Sequence, residues 1–102
     1  MIELEPADVQ ARLSRGEIVL VDVREANEIA MERIPGALSL PLSAFDPAAL
    51  PADDATKIVF SCAGGKRSAM AVARCQAAGV PAGTHMRGGL MAWKMAGLAT
   101  ER

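Results

Sequence analysis

Apolar residues along the chain gather in two uninterrupted runs and several periodic ones. Ile18-Val19-Leu20-Val21 and Ile58-Val59-Phe60 are continuous β-branched and aliphatic stretches. Such runs predict strands buried on both faces rather than half-exposed ones. Ile2 to Leu4 alternates apolar and polar and predicts a short edge strand. Pro6 suits the first turn of a helix, Val9 and Leu13 follow one turn apart, and Gly16 marks a stop. Glu25 to Glu32 reads as a short charged helix broken by Ile34-Pro35-Gly36, and Leu38 to Leu40 as a weak strand closed by Pro41. Residues 43 to 55, which include Pro47 and Pro51, hold at most a short helix and loops. Ser68 to Ala78 are strong helix formers closed by Gly79, and Thr84 to Met86 is a short strand weakened by Gly83. Gly88-Gly89 opens a last helix carrying Leu90, Trp93 and Leu98. Strands alternating with helices predict a parallel sheet covered on both faces, with ligands bound beyond the carboxyl ends of its strands. The two buried strands end at Asp22 and Cys62, and the site is expected there.

Length and composition narrow this picture. The 102 residues suit one domain spanning 1–102, with no linker, repeat or low-complexity tract. A content of 51% hydrophobic and 23% charged residues is that of a globular chain, not a disordered tail. Eleven basic against twelve acidic residues leave a net charge of −1, which removes the electrostatic reason to expect a nucleic acid or a membrane surface as partner. Two cysteines make neither a disulfide framework nor a four-cysteine metal site. The first ten residues carry no basic-then-apolar leader pattern, and a cytoplasmic, reducing location is the expectation.

The chemistry concentrates in Cys62-Ala63-Gly64-Gly65-Lys66-Arg67-Ser68, where a buried strand stops and a helix is about to begin. Adjacent glycines tolerate positive φ and let successive N–H groups turn inward as an anion-binding nest. The helix that follows adds its free N–H groups and the positive end of its dipole. Lys66 and Arg67 bring two cations to the same rim. Each feature favours thiolate over thiol at Cys62 and makes it a nucleophile for anionic or soft substrates. A cysteine phosphatase loop of the C-x5-R type needs its arginine six positions on, whereas Arg67 stands five positions after Cys62. The shorter cradle suits one added sulfur atom better than a phosphoryl group.

Four blocks in order carry a family resemblance over nearly the whole chain. They are Val21-Asp22-Val23-Arg24 with Glu28; Ile34-Pro35-Gly36-Ala37; Cys62 to Ser68; and Gly88-Gly89-Leu90-Met91-Ala92-Trp93. The sequence resembles a single-domain rhodanese, a thiosulfate sulfurtransferase-like protein. The resemblance implies a three-layer α/β/α domain on a five-stranded parallel sheet. It implies a persulfide on Cys62, which takes a sulfane sulfur from a small anionic donor such as thiosulfate and hands it to cyanide, a thiol or a protein acceptor. The backbone N–H groups of Ala63, Gly64, Gly65, Lys66 and Arg67 are implied to hold that persulfide, with Lys66 and Arg67 binding the donor and Ser68 completing the loop, and no metal or organic cofactor is implied. Two positions depart from the family pattern. Glu32-Arg33 stand where Gly-His is usual, and Gly83 takes the usually aliphatic middle of the last strand.

Other candidates read as supports. Arg24 with Glu28 makes an i,i+4 pair that braces a short helix beside Asp22. Trp93 packs the last helix, and Cys75, on the face of Val72, is a core thiol rather than a resolving one. His85 is the only histidine, and a thiolate prepared electrostatically needs no general base. Three rival functions stay open: a sulfur-relay or interaction module acting on a protein partner, a phosphatase-like or arsenate-reducing enzyme, and a mercaptopyruvate-preferring transferase. The two loop cations weigh against the last.

Overall fold

The computed structural model describes residues 1–102. Five strands, β1 (Ile2–Leu4), β2 (Val19–Asp22), β3 (Leu38–Ser39), β4 (Ile58–Ser61) and β5 (Thr84–Met86), form one parallel sheet in the order β1-β5-β4-β2-β3. Four helices connect them: α1 (Pro6–Ser14), α2 (Ala26–Met31), α3 (Lys66–Ala77) and α4 (Gly89–Met95). Three short 3₁₀ turns, Leu42–Ala44, Pro47–Ala49 and Ala55–Lys57, occupy the proline-bearing stretch before β4. Asp46 and Asp54 start two of them by accepting backbone N–H bonds from Ala48 and Thr56. No helix is long and apolar enough to cross a membrane.

The continuous apolar runs are central because both of their faces are covered. On one side Val21, Ile58 and Phe60 pack with Ala71, Val72 and Cys75 of α3. On the other, Leu20 and Val59 pack with Val9 of α1 and Trp93 of α4. The period of two along each strand delivers alternate side chains to the two layers, so β2 and β4 are apolar on both faces along most of their length. Trp93 belongs wholly to this second layer, and its indole Nε1 donates to Ala99 O at 2.9 Å. Cys75 is fully buried, and burial pushes its thiol pKa up, which makes it a poor nucleophile.

Three details differ from the sequence expectation. Helix α3 begins at Lys66, two residues before Ser68, because Gly65 already supplies the N-terminal turn. Gly83 lies just ahead of β5, where its carbonyl accepts from Ile2 N–H at 2.7 Å; the middle of that strand is His85. Leu98 falls beyond α4, which ends at Met95, and reaches the α1 layer from the chain after the helix. Both central strands, β2 and β4, present their carboxyl ends to the start of α3, and all the loop chemistry lies at that end.

Candidate active site

Everything at this end of the sheet is arranged around the sulfur of Cys62. Gly65 takes φ +103°, a left-handed conformation open to glycine and strained for other residues, and becomes the N-cap of α3. Gly64, by contrast, does not need positive φ. The turn aims two backbone donors at the sulfur, Gly65 N–H at 3.1 Å and Ser68 N–H at 3.3 Å. The first-turn N–H groups of α3 have no partner within the helix and point out of its N-terminal end, beside the same atom. Converging donors of this kind make an anion-binding cradle. The carbonyls of the loop turn the opposite way. Cys62 O and Ala63 O accept from Leu90 N–H at 2.8 Å and Met91 N–H at 3.1 Å, so the start of α4 fastens the loop from behind. Gly89, at φ +58°, makes this approach possible: a Cβ there would sit 2.3 Å from Cys62 O.

The cations are distributed differently from the sequence reading. Arg24 does not pair with the Glu28 carboxylate. It lies buried against Asp22, with Nη2–Oδ2 at 2.8 Å and Nε–Oδ2 at 3.0 Å, and donates to the carbonyl of Glu32 at 2.8 Å. Asp22 also accepts the Arg24 backbone N–H at 2.9 Å, which closes the turn after β2. Glu28 instead reaches across to Arg67, 39 positions further along the chain, in a bidentate pair of 2.6 and 2.9 Å. The guanidinium holds the Glu28 carboxyl down at about 2, and the carboxylate raises Arg67 in turn. Arg67 therefore anchors the end of the loop to α2, with its charge offset before any donor arrives. Lys66 is exposed and makes no ion pair, which leaves it as the free cation at the rim. Glu32, at one departure from the family pattern, accepts from Lys94 Nζ at 2.8 Å and Thr100 Oγ1 at 2.6 Å, while Arg33 pairs with Glu101. That position ties α2 to the C-terminal segment rather than entering the site.

Ser68 does more than close the loop. Its hydroxyl lies 3.6 Å from Cys62 Sγ and 2.8 Å from His85 Nδ1. Sequence reasoning set His85 aside, and only the pairing of β5 beside α3 brings it to the site. Cys62 is 1% exposed, beneath a stretch in which Gly64 is exposed and Ala63 and Gly65 are half-buried. A groove of about 390 Å³ lies elsewhere, lined by Leu13, Pro35, Trp93 and Leu98 among others, and contains no loop residue. No cluster of His, Cys, Asp or Glu is built to hold a metal ion.

The chain is thus a parallel α/β domain whose buried thiol lies at a helix start and accepts from two backbone N–H groups. The Rhodanese-like domain family model matches residues 5–96, and the chain belongs to the rhodanese-like domain family. It is 39% identical over 101 residues to an uncharacterized protein from Synechocystis, covering 99% of this chain and 56% of that one. The chain thus spans little more than half of that relative's length. A protein named Sulfurtransferase from Allochromatium vinosum is 34% identical, with 94% of this chain and 91% of that one covered. The fold also matches a crystal structure of thiosulfate sulfurtransferase from Pseudomonas aeruginosa, with a TM-score of 0.88 and 31% identity. That match takes in 100% of this chain and 20% of the larger one.

Two outcomes follow from these contacts. Glu28, depressed from its ordinary 4.5 to about 2, stabilises the fold fully above the unfolded value and loses that contribution as pH falls towards 2. With the pair one-third exposed, that contribution is about 1 kcal/mol after solvent screening. Glu28→Gln will flatten the acid limb of a stability–pH curve between pH 4.5 and 2 measured by urea denaturation, whereas a limb as steep as wild type would contradict the pairing. Gly89→Ala will cost at least about 2 kcal/mol, because the new methyl meets loop backbone that cannot yield cheaply. An unchanged melting temperature would contradict that close approach.

Proposed function

We propose that this protein is a sulfurtransferase that carries a sulfane sulfur on Cys62, drawn from thiosulfate or a similar anionic donor and delivered to a thiol or protein acceptor. The observation that carries this reading is the pair of N–H bonds from Gly65 and Ser68 to Cys62 Sγ at the head of a twelve-residue helix. In the transfer the Cys62 thiolate attacks the outer sulfur of the donor. A new S–S bond forms, the donor's own S–S bond breaks, and sulfite leaves with the electron pair. The product is a persulfide anion, and inward-facing N–H groups suit it as they suit the thiolate. Attack of an acceptor thiolate on the outer sulfur then returns Cys62 to its starting form. No metal or organic cofactor enters this cycle, and a thiol acceptor fits a reducing compartment such as the cytoplasm.

The burial of Cys62 favours a slender donor. A residue 1% exposed leaves room for end-on approach by a single terminal atom rather than for a bulky group. The loop, one residue shorter than a C-x5-R loop, and the engagement of Arg67 with Glu28 both weigh against a phosphoryl or arsenate substrate. Lys66 takes the role of meeting the anionic end of the donor, while Arg67 holds the loop in place. Asp22, Arg24 and Glu28 support the site by fixing α2 and, through it, Arg67. Trp93 supports it by packing α4, whose first turn fastens the loop.

A second reading has one observation in its favour. The groove of about 390 Å³ does not adjoin the loop, so no preformed small-molecule pocket surrounds Cys62. In that reading the persulfide serves a sulfur relay to a protein partner, with poor turnover of small molecules.

Incubation with thiosulfate followed by intact-mass measurement tests both readings. Wild type is expected to gain about 32 Da, one sulfur, and Cys62→Ser to gain nothing. No gain on wild type, or the same gain on Cys62→Ser, overturns the sulfur-transfer reading. In a cyanide assay, measurable thiocyanate turnover supports the enzyme, whereas persulfide without turnover supports the relay. Lys66→Ala is expected to raise KM for thiosulfate about threefold to tenfold, as loss of one charge contact would, with little change for an uncharged persulfide donor. Equal changes for both donors would remove Lys66 from donor binding.

A further inference from the structure

His85 is 2% exposed and is the one buried titratable group near the loop that the transfer scheme does not use. It sits at the middle of β5 between Phe60 of β4 and Glu3 of β1, its register partners, and faces Ser68 of α3. Four groups then stand in line. Cys62 Sγ is 3.6 Å from Ser68 Oγ, Ser68 Oγ is 2.8 Å from His85 Nδ1, and His85 Nε2 is 3.2 Å from Glu3 Oε2. The last contact is an ion-pair approach without hydrogen-bond geometry, so Nε2 has no hydrogen-bond partner despite its burial. A buried imidazole nitrogen with only a carboxylate oxygen beside it is placed to carry a hydrogen, which leaves Nδ1 of the neutral ring to accept from Ser68. The Glu3 side chain is half exposed, so the line runs from the reactive sulfur to solvent.

We propose that Ser68, His85 and Glu3 form a proton relay for Cys62, with His85 and Glu3 as positioning residues acting through the Ser68 hydroxyl. Two hydrogen arrangements satisfy the chain. With Cys62 as a thiol, S–H donates to Ser68 Oγ, whose own hydrogen goes to His85 Nδ1. In the other, the thiol proton has passed to Ser68 Oγ while the Ser68 hydrogen has moved to Nδ1. The ring is then an imidazolium opposite the Glu3 carboxylate, its Nδ1–H donates to Ser68, and Ser68 O–H turns to the thiolate. One proton crosses the line, the S–H bond breaks, an N–H bond forms, and net charge is conserved. The imidazolium then faces the anionic sulfur through Ser68 while the persulfide exists. When the acceptor removes the outer sulfur, Cys62 Sγ leaves with the bonding pair and is able to take the proton back by the same path. Gly65 O, 3.0 Å from the Ser68 hydroxyl, is a competing acceptor for its single hydrogen that both relay arrangements leave unused.

Alkylation of the whole protein by iodoacetamide at neutral pH, followed by intact mass, reads the departure of the Cys62 proton without any sulfur donor. Cys62→Ser, run alongside, subtracts any label taken by Cys75, the chain's other thiol. His85→Asn and Ser68→Ala are each expected to slow Cys62 labelling about a hundredfold, the lower end of general acid–base effects, and the double variant no further than the slower single. Glu3→Gln, at a half-exposed position, is expected to slow it about twofold. The sulfur-transfer reading enters only the second readout. In single-turnover sulfur uptake, the limiting rate of His85→Asn falls while the thiosulfate concentration at half-saturation stays put, whereas a distorted loop moves both. Labelling of His85→Asn at the wild-type rate, or a double variant slowed by the product of the single effects, overturns the relay. If either buried substitution fails to fold, Glu3→Gln decides, and an unchanged rate there overturns it. Slowed labelling in a protein that takes up no sulfur would refute the sulfur-transfer reading and leave the relay standing.

Discussion

Two backbone N–H groups meeting one sulfur atom is the constraint on which the rest of this molecule depends. Gly65 and Ser68 donate to Cys62 Sγ only if the chain turns back on itself within six residues, and that turn needs Gly65 at φ +103°. The inward turn of the N–H groups sends the carbonyls outward, where they need partners of their own. The start of α4 supplies them, and the contact is close enough that Gly89 cannot carry a Cβ. β4 and α4, from distant parts of the chain, thus fix one short loop. The double-faced sheet gives both a rigid base, because the strand ending at Cys62 is packed on both sides.

Charge plays a structural part before it plays a chemical one. Asp22 and Arg24 are buried as a pair, and Arg24 also satisfies carbonyls at the end of α2. Breaking such a pair by removing one partner costs several kcal/mol, so its presence constrains the turn after β2. The same short helix presents Glu28 to Arg67. A chain of ionic contacts therefore runs from the end of β2, through α2, to the last residue of the cysteine loop. Its effect is to hold the loop in register with the sheet while leaving Lys66 as the cation that meets solvent.

Much of the fold was legible from hydrophobic patterning. Ile18–Val21 and Ile58–Phe60 announced central strands because continuous apolar runs are stable only when covered on both faces. Cys62 and its glycines marked the candidate site because an inert buried cysteine needs neither a left-handed turn nor a helix start beside it. The pairing of Glu28 was not legible. Arg24 lies four residues away and Arg67 thirty-nine, and local spacing favours the nearer partner until Asp22 claims it. Nor was the contact of Ser68 with His85, which exists because β5 lies beside β4 and under α3; no local signal marks it. Thr84–Met86 was legible as the last strand, but Gly83 stands at its entrance rather than its middle, two positions that look alike in sequence.

The central claim is that Gly65 and Ser68 N–H groups hold the sulfur of Cys62, and amide proton resonances report those bonds directly. In ¹H–¹⁵N spectra of the whole chain, conversion of Cys62 to its persulfide should move the Gly65 and Ser68 amides more than those of α1 or the remote end of the sheet. Cys62→Ala should shift both to higher field in the resting protein. Amides of Gly65 and Ser68 that resonate alike in wild type and Cys62→Ala, and stay still as sulfur is added, would contradict the account.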